Sequence, residues 1–235
     1  MKIALLGYGR MGKAIEQIAI DRGHTIVLKV DEHTNTYDIS VADIAIDFSI
    51  PTAAVGNLTT CFEGGVPVVS GTTGWLERYE DMCSLCNAKN GGFIYASNFS
   101  LGVNLFFEIN KKVAKLMRPM LSNGAYNLTT EEIHHTKKLD APSGTAISIA
   151  EGIIENTDFE DWKLYEATGN TFPITAKRIG DVPGTHSVTY HSEVDEIQLQ
   201  HTAYNRKGFA LGAVVAAEWL AGKQGIFTMK DVLGL

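Results

Sequence analysis

A glycine pattern near the N-terminus constrains the fold more than any other stretch. Gly7-Tyr8-Gly9-Arg10-Met11-Gly12 fits G-x-G-x-x-G, directly after a short apolar strand, Lys2 to Leu6, and directly before Lys13 to Ile20, which reads as a helix. A second apolar strand, Thr25 to Val30, ends at Asp31, 19 residues after Gly12. Strand, glycine turn, helix, strand and acid in that order form the dinucleotide-binding βαβ fingerprint. Gly7 then allows the tight turn, Gly9 lets the backbone approach a pyrophosphate, and Gly12 lets helix and strand pack closely. The helix N-terminus offers unpaired N–H groups and a positive dipole end to the phosphates, and Asp31 accepts hydrogen bonds from the adenosine ribose. Asp31 is followed by Glu32 and His33 rather than by Arg or Lys. That favours NADH over NADPH, with Arg10 and Lys13 close enough in sequence to compensate.

Three more strand candidates follow, Asp43 to Phe48, Val66 to Ser70 and Phe93 to Ala96. Each runs into small or polar residues: Ser49-Ile50-Pro51-Thr52, Gly71-Thr72-Thr73-Gly74 and Ser97-Asn98-Phe99-Ser100. Ligands of open parallel sheets bind beyond the carboxyl ends of the strands, so such residues suit a long cofactor lying across the sheet. Eleven residues separate Asp31 from Asp43, whereas a helical crossover takes about a dozen or more; the crossover there is expected to be abbreviated.

After Leu101 the pattern changes. Leu105 to Met117 reads as a helix ending before Pro119, Tyr126 to His134 as a strand, and Ala146 to Ile154 as an amphipathic helix. Ile174 to Ile179, His186 to His191 and Glu196 to Ala203 read as further strands, and Ala210 to Leu220 as a closing helix. Strands grouped after a helix imply a mixed or antiparallel sheet. The expected architecture is α/β: a Rossmann-like doubly wound parallel sheet over 1–101, completed by 206–235, and an α+β domain over 102–205.

The formal charge of −7 argues against nucleic-acid binding and makes any anionic substrate dependent on a local basic cluster. No apolar run reaches the ~18–20 residues that span a bilayer, and the apolar run ending at Gly7 is too short for a signal peptide. A cytoplasmic enzyme without a membrane partner is expected. Cys61, Cys83 and Cys86 suggest no disulfide framework, and Cys83-Ser84-Leu85-Cys86 reads as ordinary thiols on a helix expected from about Trp75 to Ala88.

The chemistry concentrates in Glu132-Ile133-His134-His135-Thr136-Lys137-Lys138-Leu139-Asp140-Ala141-Pro142-Ser143-Gly144-Thr145-Ala146. Pro142 and Ser143-Gly144-Thr145 before an apolar-periodic run mark a helix N-terminus, with Ser143 or Thr145 as cap. Such an end binds carboxylate or phosphate, with Lys138 and His135 adding charge-assisted hydrogen bonds. His134 can deliver a proton near neutral pH. Adjacent histidines point to opposite faces of a strand and no Cys or carboxylate pair accompanies them, so no metal is expected.

These segments, with Asp47-Phe48-Ser49, Ala96-Ser97-Asn98-Phe99-Ser100, Arg178-Ile179-Gly180-Asp181, Gly184-Thr185-His186, Arg206 and Phe209, closely resemble the 4-hydroxy-tetrahydrodipicolinate reductase (dihydrodipicolinate reductase) family over nearly the whole chain. The resemblance implies hydride transfer from NADH or NADPH to a small dicarboxylate substrate in lysine and diaminopimelate biosynthesis, with His134 as general acid assisted by Lys138. It implies that His135, Lys138, Ser143, Gly144 and Thr145 hold the substrate. It puts Gly7, Gly9, Arg10, Met11, Gly12, Asp31, Phe48, Gly71, Thr72, Thr73, Ala96, Ser97, Asn98, Phe99, Arg206 and Phe209 around the cofactor, and it implies a homotetramer. The competing expectations are another nicotinamide-dependent amino-acid or semialdehyde dehydrogenase of similar architecture, and a non-catalytic cofactor-sensing module.

Overall fold

β1 (Lys2–Leu6) buries Ile3, Ala4, Leu5 and Leu6 almost completely, as a continuous apolar run demands of a strand covered on both faces. The computed structural model describes residues 1–34, 36–205 and 207–235. It divides into two compact units, Met1–Leu101 with Lys207–Leu235, and Gly102–Arg206.

In the first unit β1 is followed by α1 (Arg10–Asp21), β2 (Thr25–Val30), β3 (Ile44–Asp47), α2 (Pro51–Glu63), β4 (Val68–Ser70), α3 (Tyr79–Ala88) and β5 (Gly92–Tyr95). The C-terminal segment adds α6 (Lys207–Leu220), β11 (Gly225–Phe227) and α7 (Met229–Leu233). The strands form one parallel sheet in the order β11-β5-β4-β3-β1-β2. Alternate β1 side chains serve opposite layers. Ala4 and Leu6 pack with Ala54, Leu58 and Phe62 of α2 and Cys86 of α3, while Ile3 and Leu5 pack with Ile15 of α1 and Ala213, Val214 and Leu220 of α6. That is a doubly wound sheet, whose strand order reverses at β1 and opens a crevice at the carboxyl ends. Between β2 and β3 the described residues contain a 3-10 turn, Ile39–Val41, in place of a helix.

The second unit contains most of α4 (Leu101–Ser122), then β6 (Asn127–His134), α5 (Gly144–Ile154), β7 (Asp161–Leu164), β8 (Thr171–Arg178), β9 (Gly184–His191) and β10 (Glu196–Ala203). Its sheet runs β10-β9-β6-β8-β7 and is mixed: β6 pairs parallel with β8 and antiparallel with β9. Leu128, Ile174, Val188 and Tyr190 of the sheet meet Phe106 and Met117 of α4 and Ile149 and Ile153 of α5 in one core.

Several elements differ from the sequence expectation. α4 is longer at both ends and runs through Pro119. Lys115, whose carbonyl loses its helical partner to the proline, is exposed, so water can replace the missing N–H. The helix expected from Trp75 begins as a 3-10 turn, Leu76–Arg78, before α3. α2, β7, β11 and α7 were not anticipated. α2 has only a weak polar face, and β7 and β11 are only four and three residues long.

Candidate active site

In the first unit the G-x-G-x-x-G turn has a physical division of labour. Gly7 has φ +97°, and a methyl group added there would lie 2.1 Å from the Phe48 carbonyl oxygen. One added at Gly12 would lie 2.3 Å from the Gly7 carbonyl oxygen. Both glycines therefore permit close backbone packing, between the β1 turn and the end of β3 and within the start of α1. Gly9, the residue before α1, has nothing within 4 Å of that position. It leaves open the approach a pyrophosphate needs. Arg10 is exposed and Met11 half-buried in the first turn of α1.

A cavity of about 500 Å³ runs from Gly7 and Gly9 past Phe48 to Asp31, Glu32 and His33. Asp31 Oδ1 accepts hydrogen bonds from the Thr34 hydroxyl (2.9 Å) and the His33 N–H (3.0 Å), which hold its carboxyl below the usual range. Sequence reading missed a neighbouring group. Lys29 of β2 pairs with Glu16 at 2.6 Å and lies 4.7 Å from the Tyr8 ring centre. Its charge is thereby occupied.

The loops after β3, β4 and β5 converge on one buried acid. Asp47 is fully buried and accepts from Ser49, Asn57, Ser70 and Thr72. Thr72, expected to touch a cofactor, spends its hydroxyl on Asp47 and also accepts the Ser49 N–H at 2.8 Å. Gly71 admits the Phe48 ring, which would lie 2.3 Å from a methyl group there. Thr73 and Ser97 are exposed, and Ala96, Asn98 and Phe209 are intermediate. Phe99 is 1% exposed and packs in the core beside α6. Arg206 lies outside the described residues.

In the second unit, alternation along β6 turns Thr130, Glu132 and His134 inward. Glu132 is fully buried; Oε1 accepts from Arg178 (3.0 Å) and Oε2 from the Ser143 N–H (2.9 Å). His134 Nδ1 lies 3.5 Å, and His186 Nε2 3.8 Å, from Oε2. The Ser143 hydroxyl caps α5 by accepting the Ala146 N–H (3.2 Å) and shares a 3.2 Å hydrogen bond with His186. Ser143 thus has its N–H and hydroxyl engaged internally, and the exposed Gly144 forms the outer edge of this helix start. Lys138 pairs with Asp140 at 2.7 Å, and Arg178 also donates to the Asp140 carbonyl at 2.6 Å. His135 is half-buried one residue beyond β6.

Glu132, His134 and His186 each place one ligand-type atom within 4.8 Å of the others. Both oxygens of Glu132 already accept hydrogen bonds, one from a guanidinium that would face any cation placed there. Burial pushes Glu132 up, but hydrogen bonds from Ser143 and Arg178 and the nearby His134 outweigh it and hold the carboxyl below its ordinary range. Burial pushes His134 down; Glu132 opposes the shift, while Lys138 and Arg178 reinforce it. Burial, with His134 adjacent, brings His186 down to about 4.

Two family models cover nearly the whole chain: dihydrodipicolinate reductase N-terminus over residues 1–99 and dihydrodipicolinate reductase C-terminus over residues 102–233. The chain belongs to the dihydrodipicolinate reductase family. A 4-hydroxy-tetrahydrodipicolinate reductase from Christiangramia forsetii is 56% identical, covering 99% of this chain and 98% of its own. One from Akkermansia muciniphila is 37% identical, covering 97% and 95%. The dipicolinate-bound dihydrodipicolinate reductase of Paenisporosarcina sp. TG-14 shares the fold at a TM-score of 0.79 with 21% identity, covering 97% of each chain.

As a dihydrodipicolinate reductase-family oxidoreductase with a Rossmann-type nucleotide unit, the chain uses NAD(P)H. Its thiols stand apart from this chemistry. Cys61, Cys83 and Cys86 are buried in the layer under α2 and α3, and burial pushes the Cys86 thiol up to about 11. The sequence names Glu132 and Arg178 without giving either a role, and the structure joins them at 3.0 Å. The signal for Glu132 was strand alternation, which places it on the same face as His134.

Proposed function

We propose that the chain reduces 4-hydroxy-tetrahydrodipicolinate in lysine and diaminopimelate biosynthesis, with His134 as proton donor and NADH as the preferred cofactor. The cluster at the end of β6 carries this reading. A buried histidine, a carboxylate behind it, Lys138 and a helix start are gathered within the unit that matches the C-terminal family model.

The first unit fits the cofactor on its own geometry: an open Gly9 at a helix N-terminus and a cavity reaching Asp31. When bound, the nicotinamide cofactor supplies the hydride. Gly7, Gly9, Arg10, Met11 and Gly12 hold the pyrophosphate. Asp31 meets the ribose, and Phe48, Gly71, Thr73, Ala96, Ser97, Asn98 and Phe209 border the remainder, with Thr72 shaping the loop. NADH is favoured because Asp31 and Glu32 border the adenosine end and Lys29 is held by Glu16. An extra phosphate there meets two acids, with the Lys29 charge already engaged.

Lys138 exchanges Asp140 for a substrate carboxylate, and His135 and the Gly144-Thr145 helix start hold the other. His134 donates its proton from Nε2. The reading includes a cytoplasmic location; no described helix is long and apolar enough to cross a membrane. It also includes a homotetramer built on the second unit's sheet, where Val194, Ile197 and Tyr204 are exposed on and beside β10.

Substrate generated by condensing aspartate semialdehyde with pyruvate tests the reading. Oxidation of NADH that depends on that product is expected, with a higher kcat/KM than for NADPH, and with inhibition by dipicolinate. Turnover of aspartate semialdehyde alone, with none of the condensation product, would overturn it. His134→Gln is expected to lower kcat by roughly 10²–10⁴ with NADH affinity nearly unchanged; full activity in that variant would remove His134 from the mechanism.

A further inference from the structure

Glu132 occupies a position that the reaction as described does not use. It has no exposed surface and cannot touch substrate. Its oxygens are fixed from two directions, by Arg178 on β8 and by the Ser143 N–H before α5. The His134 Nδ1 nitrogen, itself buried and without a hydrogen-bond partner, faces that carboxylate at 3.5 Å. The other ring nitrogen, Nε2, lies against Gly184, where an added methyl group would come within 3.2 Å. The ring is therefore held between a carboxylate on one side and the Gly184 backbone on the other.

We infer that Glu132 is the positioning residue of the proton donor: it keeps Nδ1 of His134 protonated and turned inward, leaves Nε2 as the nitrogen that gives its proton away, and steadies the imidazolium before transfer. This inference rests on His134 being the donor. In the charged ring Nδ1–H points to Glu132 and Nε2–H to the substrate. The Nε2–H bond breaks as the new bond to the substrate forms. The neutral ring keeps its Nδ1 proton, and water returns one to Nε2.

The charges around the ring explain why an anion is needed there. Lys138 from the loop after β6 and Arg178 from β8 disfavour a second positive charge, and His186 of β9 sits with its ring centre 5.0 Å away. Asp140 favours the cation, but it is exposed and paired with Lys138. Burial acts against the imidazolium as well. Glu132 is the one buried anion among the described groups facing the ring, and a buried charge is screened far less than an exposed one.

Histidine NMR on the full-length protein, with His134→Gln to assign the signals, tests this without assuming catalysis. The neutral His134 ring of the wild type is expected in the Nδ1–H tautomer. In Glu132→Gln, which keeps the size of the side chain, its titration is expected to move down by roughly one unit or more. A general acid must be protonated, so the high-pH limb of kcat should move down by the same amount, with a tenfold or larger loss at pH 8 and cofactor KM within twofold. A wild-type Nε2–H tautomer, or an unmoved or raised titration in Glu132→Gln, overturns the inference. The tautomer measurement stands even if that variant fails to fold. Full activity of His134→Gln would defeat the donor assignment while leaving these ring measurements as they are, so the two failures are distinguishable.

Discussion

The Asp47 carboxylate lies 2.8 Å from the Thr72 hydroxyl, and this hydrogen bond ties the end of β3 to the loop after β4. Ser70, Ser49 and Asn57 donate to the same buried carboxylate at 2.8, 2.7 and 2.9 Å. A fully buried anion is tolerated only when its lone pairs are satisfied, so these bonds stand or fall together. Asp47→Ala strands several buried donors and is expected to lower the unfolding free energy by roughly 3–5 kcal/mol. Thr72→Val should cost roughly 1–3 kcal/mol. Urea denaturation measures both. An Asp47→Ala protein as stable as the wild type would show that the network holds nothing together.

Two glycines of one motif should fail in different ways. Gly12→Ala forces a methyl group to 2.3 Å from a backbone oxygen, so a large loss of stability is expected. Gly9→Ala meets open space at a residue with φ −82°, so thermal stability should be nearly unchanged while NADH affinity falls tenfold or more. Equal effects of the two substitutions on stability would contradict this division.

Asp31→Ala should separate the cofactors. Loss of its charge-assisted hydrogen bonds to the ribose is expected to lower kcat/KM with NADH at least tenfold. With NADPH, whose phosphate no longer meets that carboxylate, the fall should be smaller or reversed. Parallel steady-state titrations give the ratio, and an unchanged ratio would remove Asp31 from selectivity.

His186 links stability to acid. Its folded pKa of about 4 lies below the ordinary histidine value of ~6.5, so the unfolded chain binds the proton more readily between those limits. The stabilisation is fully present above about pH 6.5 and is lost as pH falls towards 4, by roughly 3 kcal/mol. His186→Gln can keep a hydrogen bond to Ser143 without titrating, so its urea midpoint should vary less with pH across that window. An unchanged slope would count against a buried neutral His186.

The thiols should be silent in the native protein. Cys61, Cys83 and Cys86 are buried, and burial raises all three thiol pKa values, so little thiolate forms at neutral pH. Ellman's reagent is expected to modify all three only on unfolding, with no loss of activity beforehand. Rapid native modification of Cys83 and Cys86 would reopen a redox reading of Cys83-Ser84-Leu85-Cys86.

Local patterns were legible wherever one residue type enforces one conformation. The apolar run of β1, the glycine turn and the Ser143 cap follow from sterics and hydrogen bonding over a few residues. α4 runs past Pro119 because an interior proline can bend a helix without ending it, and the packing of Phe106, Ala114, Met117 and Leu121 on the second unit's core is a tertiary fact. Glu131 and Glu132 show the limit most clearly. They are adjacent and chemically alike, yet one reaches out to Lys177 and the other has no exposed surface.

By itself the sequence determined the doubly wound nucleotide unit, a second α+β unit with a mixed or antiparallel sheet, and the short segment that carries His134 and Lys138, because periodicity and turn chemistry act between near neighbours. Only the tertiary structure decided which acids became the interior hubs. Thr72 is 25 residues from Asp47, and Arg178 is 46 residues from Glu132. A buried carboxylate is stable only where such distant donors arrive together, and chain folding alone brings them there.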